Sequence, residues 1–83
     1  MDQKQITEKL RTIIKPYVQD EEAFSNIQPQ TDLLKDLKIN SAHLVDIILD
    51  TEDAFDIEIS DEDAEQMLTV QDAVAVIRKR MNE

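Results

Sequence analysis

Serine, histidine and carboxylate lie close together in Asn40-Ser41-Ala42-His43-Leu44-Val45-Asp46, the first place to test for nucleophilic chemistry. Ser41 and His43 are two residues apart at the start of a stretch with helical periodicity, and residues i and i+2 of a helix do not face each other. A serine–histidine pair therefore fails on geometry, and no orienting acid completes it. His43, the only histidine, reads as an exposed helix residue. Acid clusters at Asp50 to Asp56 and Asp61 to Asp63 invite a calcium reading. The twelve-residue calcium loop needs glycine at its sharp turn, and the chain has none. The same absence removes glycine-rich phosphate loops and dinucleotide fingerprints. With no cysteine, disulfides, cysteinyl zinc sites and catalysis by a protein thiol are excluded. No metal-ligand cluster emerges, so the chain reads as non-enzymatic. Ser41 remains, as an acceptor. A serine at a helix start is exposed, and helix N-termini favour phosphate groups, so a covalently attached phosphate prosthetic group would fit there. The competing reading is structural, since Asn40 and Ser41 are both good N-caps.

The element that must carry Ser41 runs from Asn40 to Phe55, about four turns without Pro or Gly. At about 100° per residue, Leu44, Ile47, Ile48, Thr51 and Phe55 share one side, which predicts a core face. Ala42, Val45 and Leu49 form a second apolar strip. Asp46, Asp50 and Asp53 lie beyond it, and Glu52 closes its other side. An exposed apolar strip rimmed by charge predicts a docking surface.

Around this helix the pattern is all-α. Asp2 and Gln5 have the form of a capping box, followed by Ile6, Leu10, Ile13, Ile14 and Tyr17 on one face. Pro16 should end or kink that helix, which reads as core wall alone. Gln19 to Ile39 is less regular and reads as a tied-down connection, anchored by Phe24, Ile27, Leu33, Leu34 and Leu37. Thr31 is positioned to cap a short turn through Lys35, and Asp20-Glu21-Glu22 reads as solvated surface. Asp56-Ile57-Glu58-Ile59 alternates like a strand but has nothing to pair with, so an extended segment burying both isoleucines is expected. Ser60 should cap a short helix, with Asp63 completing a capping box, and Thr69 with Asp72 should cap a last helix buried through Val70, Ala73, Val74, Ile77 and Met81. Arg78, Lys79 and Arg80 fall in its final turn, where cations oppose the dipole. The expectation is a small four-helix bundle of three longer helices and one short one, with residues 1–83 as one domain.

Charge narrows the partners. Nine Lys and Arg stand against nineteen Asp and Glu, a net charge of −10. That argues against nucleic acid and anionic membranes and favours basic protein surfaces. No Lys or Arg occurs between Ile39 and Ile77, where eleven acids do. No apolar run approaches a membrane span and no signal-peptide pattern opens the chain, so a cytoplasmic location is the default expectation.

Taken in order, Asp32-Leu33-Leu34-Lys35-Asp36-Leu37, Asn40-Ser41-Ala42, Asp56-Ile57-Glu58-Ile59, Ser60-Asp61-Glu62-Asp63-Ala64-Glu65 and Thr69-Val70-Gln71-Asp72-Ala73 resemble the acyl carrier protein family as far as Ile77. The resemblance implies a four-helix carrier domain bearing 4′-phosphopantetheine in phosphodiester linkage on Ser41, installed by a separate phosphopantetheinyl transferase from coenzyme A. The prosthetic thiol would hold an acyl group as a thioester for enzymes of fatty-acid, lipid or polyketide-type biosynthesis. Their basic patches would meet Asn40, Ala42, Val45, Asp46, Leu49, Glu52 and Asp53 on a monomeric carrier. An amino-acid carrier, such as one for D-alanine, and an unmodified interaction module are the alternatives. Three positions depart from the family's Gly-x-Asp-Ser-Leu: Lys38 for Gly, Asn40 for Asp and Ala42 for Leu. These departures predict slower modification by a generalist transferase and a specialised carrier.

Overall fold

The computed structural model describes residues 2–82. Its helices are α1 (Gln3–Ile14), α2 (Glu21–Ser25), α3 (Leu44–Phe55), α4 (Asp61–Gln66) and α5 (Val70–Met81). Single 3-10 turns extend α1 over Lys15–Tyr17 and precede α3 over Ser41–His43. Among the described residues there is no strand, only one isolated bridge between Asp32 and Thr69. No described helix is long and apolar enough to cross a membrane.

Local chemistry explains the boundaries. Asp2 and Gln5 close a capping box on α1, with Gln5 N–H donating to Asp2 Oδ1 at 2.8 Å and Asp2 N–H to Gln5 Oε1 at 3.0 Å. Pro16 then tightens the chain into the 3-10 turn. Thr69 and Asp72 form the matching box on α5. α3 stops at Asp56, which adopts the left-handed conformation at φ 54. In a chain without glycine, Asp is among the residues that tolerate it.

α1 packs against both α3 and α5, and α4 packs on α5. Ile6, Leu10 and Ile14 of α1 meet Ile47 and Phe55 of α3 and Val70, Ala73, Val74 and Ile77 of α5 in one buried cluster. Thr51 is also buried, and its hydroxyl donates to the Ile47 carbonyl at 2.7 Å, so burial leaves no orphaned group. Leu44 and Ile48 are only half-buried, at the borders of the core face. Ile57 and Ile59 pack half-buried against the core from an extended segment, as their alternation predicts.

The connection from Gln19 to Ile39 is held at both ends. Gln19 and Asp20 N–H both bond the Leu37 carbonyl, at 3.2 and 3.3 Å. Farther on, Leu33 N–H bonds Leu68 O, and Val70 N–H bonds Thr31 O, both at 3.0 Å. Two readings are corrected here. The short turn is capped by Asp32, whose Oδ1 accepts from Leu34 and Lys35 N–H, while Thr31 Oγ1 accepts from Gln28 N–H. The Asp20-Glu21-Glu22 run is no mere solvated surface: Asp20 caps α2, a fifth helix beyond the four expected, and the two glutamates form its first turn. Short polar caps at three- or four-residue spacing generate such a turn without a hydrophobic period to announce it.

Candidate functional site

Ile39 is buried, so the chain is anchored one residue before the site begins. Lys38 precedes it at φ 55, in the left-handed region. Glycine takes this conformation freely; a side chain costs about 1–2 kcal/mol there. The turn delivers Asn40 in extended conformation, where its Oδ1 accepts the Ala42 N–H at 2.9 Å. His43 N–H bonds the Asn40 carbonyl at 2.8 Å. Asn40 is therefore the cap, and Ser41 is the first residue of the turn. That separates the two structural readings of the pair and takes the cap from the serine. Ser41 is exposed, and among the described residues no hydrogen bond engages its hydroxyl.

A phosphate diester on this oxygen would stand in water at a helix start, where backbone N–H groups and the dipole favour an anion. No buried group has to move to make room, and the neutral Asn40 keeps the cap without placing a negative charge beside it. The residues fit the group.

Beyond Ser41 the outward strip is open. Val45 is 63 % and Leu49 57 % exposed, and Ala42, Asp46, Asp50 and Asp53 are exposed with them. Glu52 differs: it is half-buried, and its Oε2 accepts the Ile59 N–H at 2.8 Å, fastening the extended segment to α3. On the opposite flank, the Tyr17 hydroxyl donates to Asp50 Oδ2 at 3.1 Å, and the Tyr17 ring lies 5.1 Å from that of His43. His43 Nδ1 is 3.6 Å from Asp46 Oδ2. Asp50, as hydrogen-bond acceptor, holds the Tyr17 hydroxyl above the usual phenol range, reinforced by partial desolvation and by the charges of Asp50 and Asp46. α1 is thus more than a core wall. Lys9, over the Phe55 ring, also donates to the Ala54 carbonyl at 2.6 Å. Hydrophobic period could not reveal these contacts, because they are made by polar atoms between helices far apart in the sequence.

The second acid cluster divides differently. Asp61 and Glu62 are exposed, but Asp63 is 4 % exposed. Ser60 Oγ caps its N–H at 3.1 Å, yet the expected capping box does not close. The Asp63 carboxylate instead accepts Arg80 Nε at 2.6 Å, pairs with the Arg80 Nη2 and lies 3.6 Å from Lys79 Nζ. The Arg80 hydrogen bond holds this carboxyl below the usual range, against the opposing effect of desolvation. Arg80 and Lys79 thus do more than oppose a helix dipole: they clamp α4 to α5. Val76, outside the expected stripe of α5, is buried too, and lines a surface cleft with Asp63 and Gln66 of α4.

A helical bundle whose central helix presents a free serine hydroxyl at its first turn, beside an apolar strip rimmed by acids, has the layout of a carrier domain. The family model described as phosphopantetheine attachment site matches residues 6–77. The chain belongs to the acyl carrier protein family. It is 37 % identical over 81 residues to the acyl carrier protein of Coprothermobacter proteolyticus, covering 98 % of this chain and 96 % of that one. Over 55 residues it is 47 % identical to the acyl carrier protein of Desulforapulum autotrophicum, covering 66 % and 71 %. A solved structure of acyl carrier protein from Enterococcus faecalis superposes with a TM-score of 0.78 at 32 % identity, covering 96 % and 99 %. The resemblance read from the ordered motifs is therefore correct, and phosphopantetheine is the prosthetic group of the domain.

Proposed function

We propose that Ser41 is the residue on which this acyl carrier protein bears 4′-phosphopantetheine. The observation that carries the reading is the free, exposed hydroxyl at the start of the 3-10 turn that leads into α3, with Asn40 in the capping role. The other two serines are engaged. Ser25 Oγ donates to the Glu21 carbonyl at 3.0 Å, and Ser60 Oγ accepts from Asp63 N–H and Arg80. A separate phosphopantetheinyl transferase would install the group from coenzyme A. Ser41 Oγ would attack the phosphorus that bears pantetheine and lose its proton to a base on the transferase. The P–O bond to the nucleotide would break, and adenosine 3′,5′-bisphosphate would leave. Once bound, the group supplies the thiol that this cysteine-free chain lacks, and an acyl chain rides on it as a thioester.

The chain's own residues then present that arm to basic patches on enzymes of fatty-acid, lipid or polyketide-type biosynthesis. Ala42, Val45 and Leu49 would form the apolar contact, with Asn40, Asp46, Glu52 and Asp53 around them. Residues 1–83 act as one carrier domain, a monomer kept apart by its net charge of −10. Dependence on coenzyme A supports a cytoplasmic location.

The test is intact mass after incubation with coenzyme A and a transferase. Wild type gains the mass of one phosphopantetheine and Ser41→Ala gains none, while circular dichroism stays helical. A gain that persists in Ser41→Ala moves the attachment elsewhere.

A further inference from the structure

The four carboxylates around the docking strip are unequal, because the fold already hydrogen-bonds two of them and sets a third beside His43. Glu52 holds the Ile59 N–H, Asp50 accepts the Tyr17 hydroxyl, and Asp46 lies beside His43. The Asp53 carboxylate is exposed and has no hydrogen bond or ion pair among the described residues. The inequality follows the sides of α3. At about 100° per residue, Ala42, Leu49, Asp46 and Asp53 lie near the outward centre, while His43 and Asp50 form the flank towards α1. Tyr17 stands on that flank. Pro16 breaks α1 one residue earlier, and the 3-10 turn brings the phenol across to α3.

A hydrogen bond does not cancel the charge of Asp50, which still attracts a basic partner from a distance. It does occupy one carboxylate oxygen, and the adjoining ring obstructs close approach from that side. A cation arriving there must displace the phenol or share its acceptor.

We propose that Tyr17 is a specificity-determining residue for docking: by engaging Asp50 and packing against His43, it closes the α1 flank of the strip to a partner's cations and directs them to the outward carboxylates, with Asp53, which has no polar side-chain partner among the described residues, the most open to pairing. The partner is then an enzyme surface with an apolar centre over Val45 and Leu49 and a Lys or Arg at the Asp53 end. Twelve residues separate Ser41 from Asp53, so that cation sits roughly 18 Å along the helix from the point where Ser41 is modified. This inference rests on the Ser41 reading and refines its docking surface.

The experiment measures kcat/KM for loading of Ser41 by a phosphopantetheinyl transferase with coenzyme A, across a salt series. Asp53→Asn should slow loading about two- to fivefold and flatten its salt dependence, and Asp50→Asn should change it by less than about twofold, within the range of single exposed pairs. Tyr17→Phe keeps the ring and removes the hydroxyl. It should speed loading by about twofold and steepen the salt dependence, an effect that a purely structural role would not produce. On an Asp50→Asn background the same change should do nothing. Equal slowing by Asp50→Asn and Asp53→Asn overturns the proposal, as does a Tyr17→Phe effect that survives without the Asp50 carboxylate. Those results leave Ser41 as the attachment point, whereas a wild type that is never loaded at Ser41 removes both readings.

Discussion

Asp63 and Asp53 are the same residue type in two acid-rich runs ten residues apart, and the fold uses them in opposite ways. Asp63 is 4 % exposed and clamped by Arg80 and Lys79 between α4 and α5. The Asp53 side chain faces water beside Leu49, with no hydrogen bond or ion pair to the described residues. Taking one partner from a buried ion pair leaves the other charge desolvated, a large cost. An exposed carboxylate contributes little to stability but keeps its charge available for recognition. The α4–α5 junction uses its acid to hold the fold, and the outer face of α3 leaves Asp53 to the solvent.

The sharpest way to break this contrast is Asp63→Asn. It should lower the melting temperature by more than about 10 °C, since small domains lose several degrees per kcal/mol. Asp53→Asn should stay within about 2 °C of wild type in the same scan. Matching losses for the two variants would erase the distinction.

Leu49→Arg comes next, and its effect belongs to function. Leu49 is 57 % exposed, so a charge there should leave the melt nearly unchanged. At a docking centre it would be buried without a partner, and loading by a transferase should fall at least about tenfold. A melt that drops instead would place Leu49 in the core.

Acid titration sharpens the comparison from the other side. The folded pKa of Asp63 is depressed, chiefly by its hydrogen bond from Arg80. Its contribution is therefore fully present above the ordinary Asp range, near about 4, and is lost as pH falls through the lower folded value. Wild type should lose melting temperature over that window, and Asp63→Asn should show a shallower acid limb.

Smaller effects are expected where the chain departs from its family around Ser41. Asn40→Asp with Ala42→Leu restores a charge and an apolar contact, and a generalist transferase should load the double variant about threefold faster, an ordinary gain for one exposed charge and one small contact. Equal rates would make those departures neutral. Lys38→Gly relieves a side chain at φ 55 but adds freedom to the unfolded chain and removes a 4.0 Å surface pair with Asp20. These effects oppose each other, so denaturant unfolding should shift by less than about 1 kcal/mol.

Much of this was legible along the chain. Ile6, Leu10 and Ile14, the capping boxes at Asp2 and Thr69, and the break at Pro16 are local features, set by helical period, by caps within three or four residues, and by a missing N–H. The exposure of Val45 and Leu49 follows from the same period, because a helix with one buried side must turn its other apolar strip outward. The ordered motifs around Ser41 were enough to name the family, because they preserve spacing as well as composition.

Only the tertiary structure decided which acids are free. The Asp63–Arg80 pair spans seventeen residues and the Tyr17–Asp50 bond thirty-three. Such contacts depend on how helices cross and leave no periodic trace in the sequence. The same holds for the serine. Asn40 and Ser41 are equivalent caps by residue type, and the choice between them was made by the left-handed turn at Lys38 and the buried anchor at Ile39. Together these set the backbone so that the Asn40 side chain reaches the Ala42 N–H and the Ser41 hydroxyl is left exposed to water.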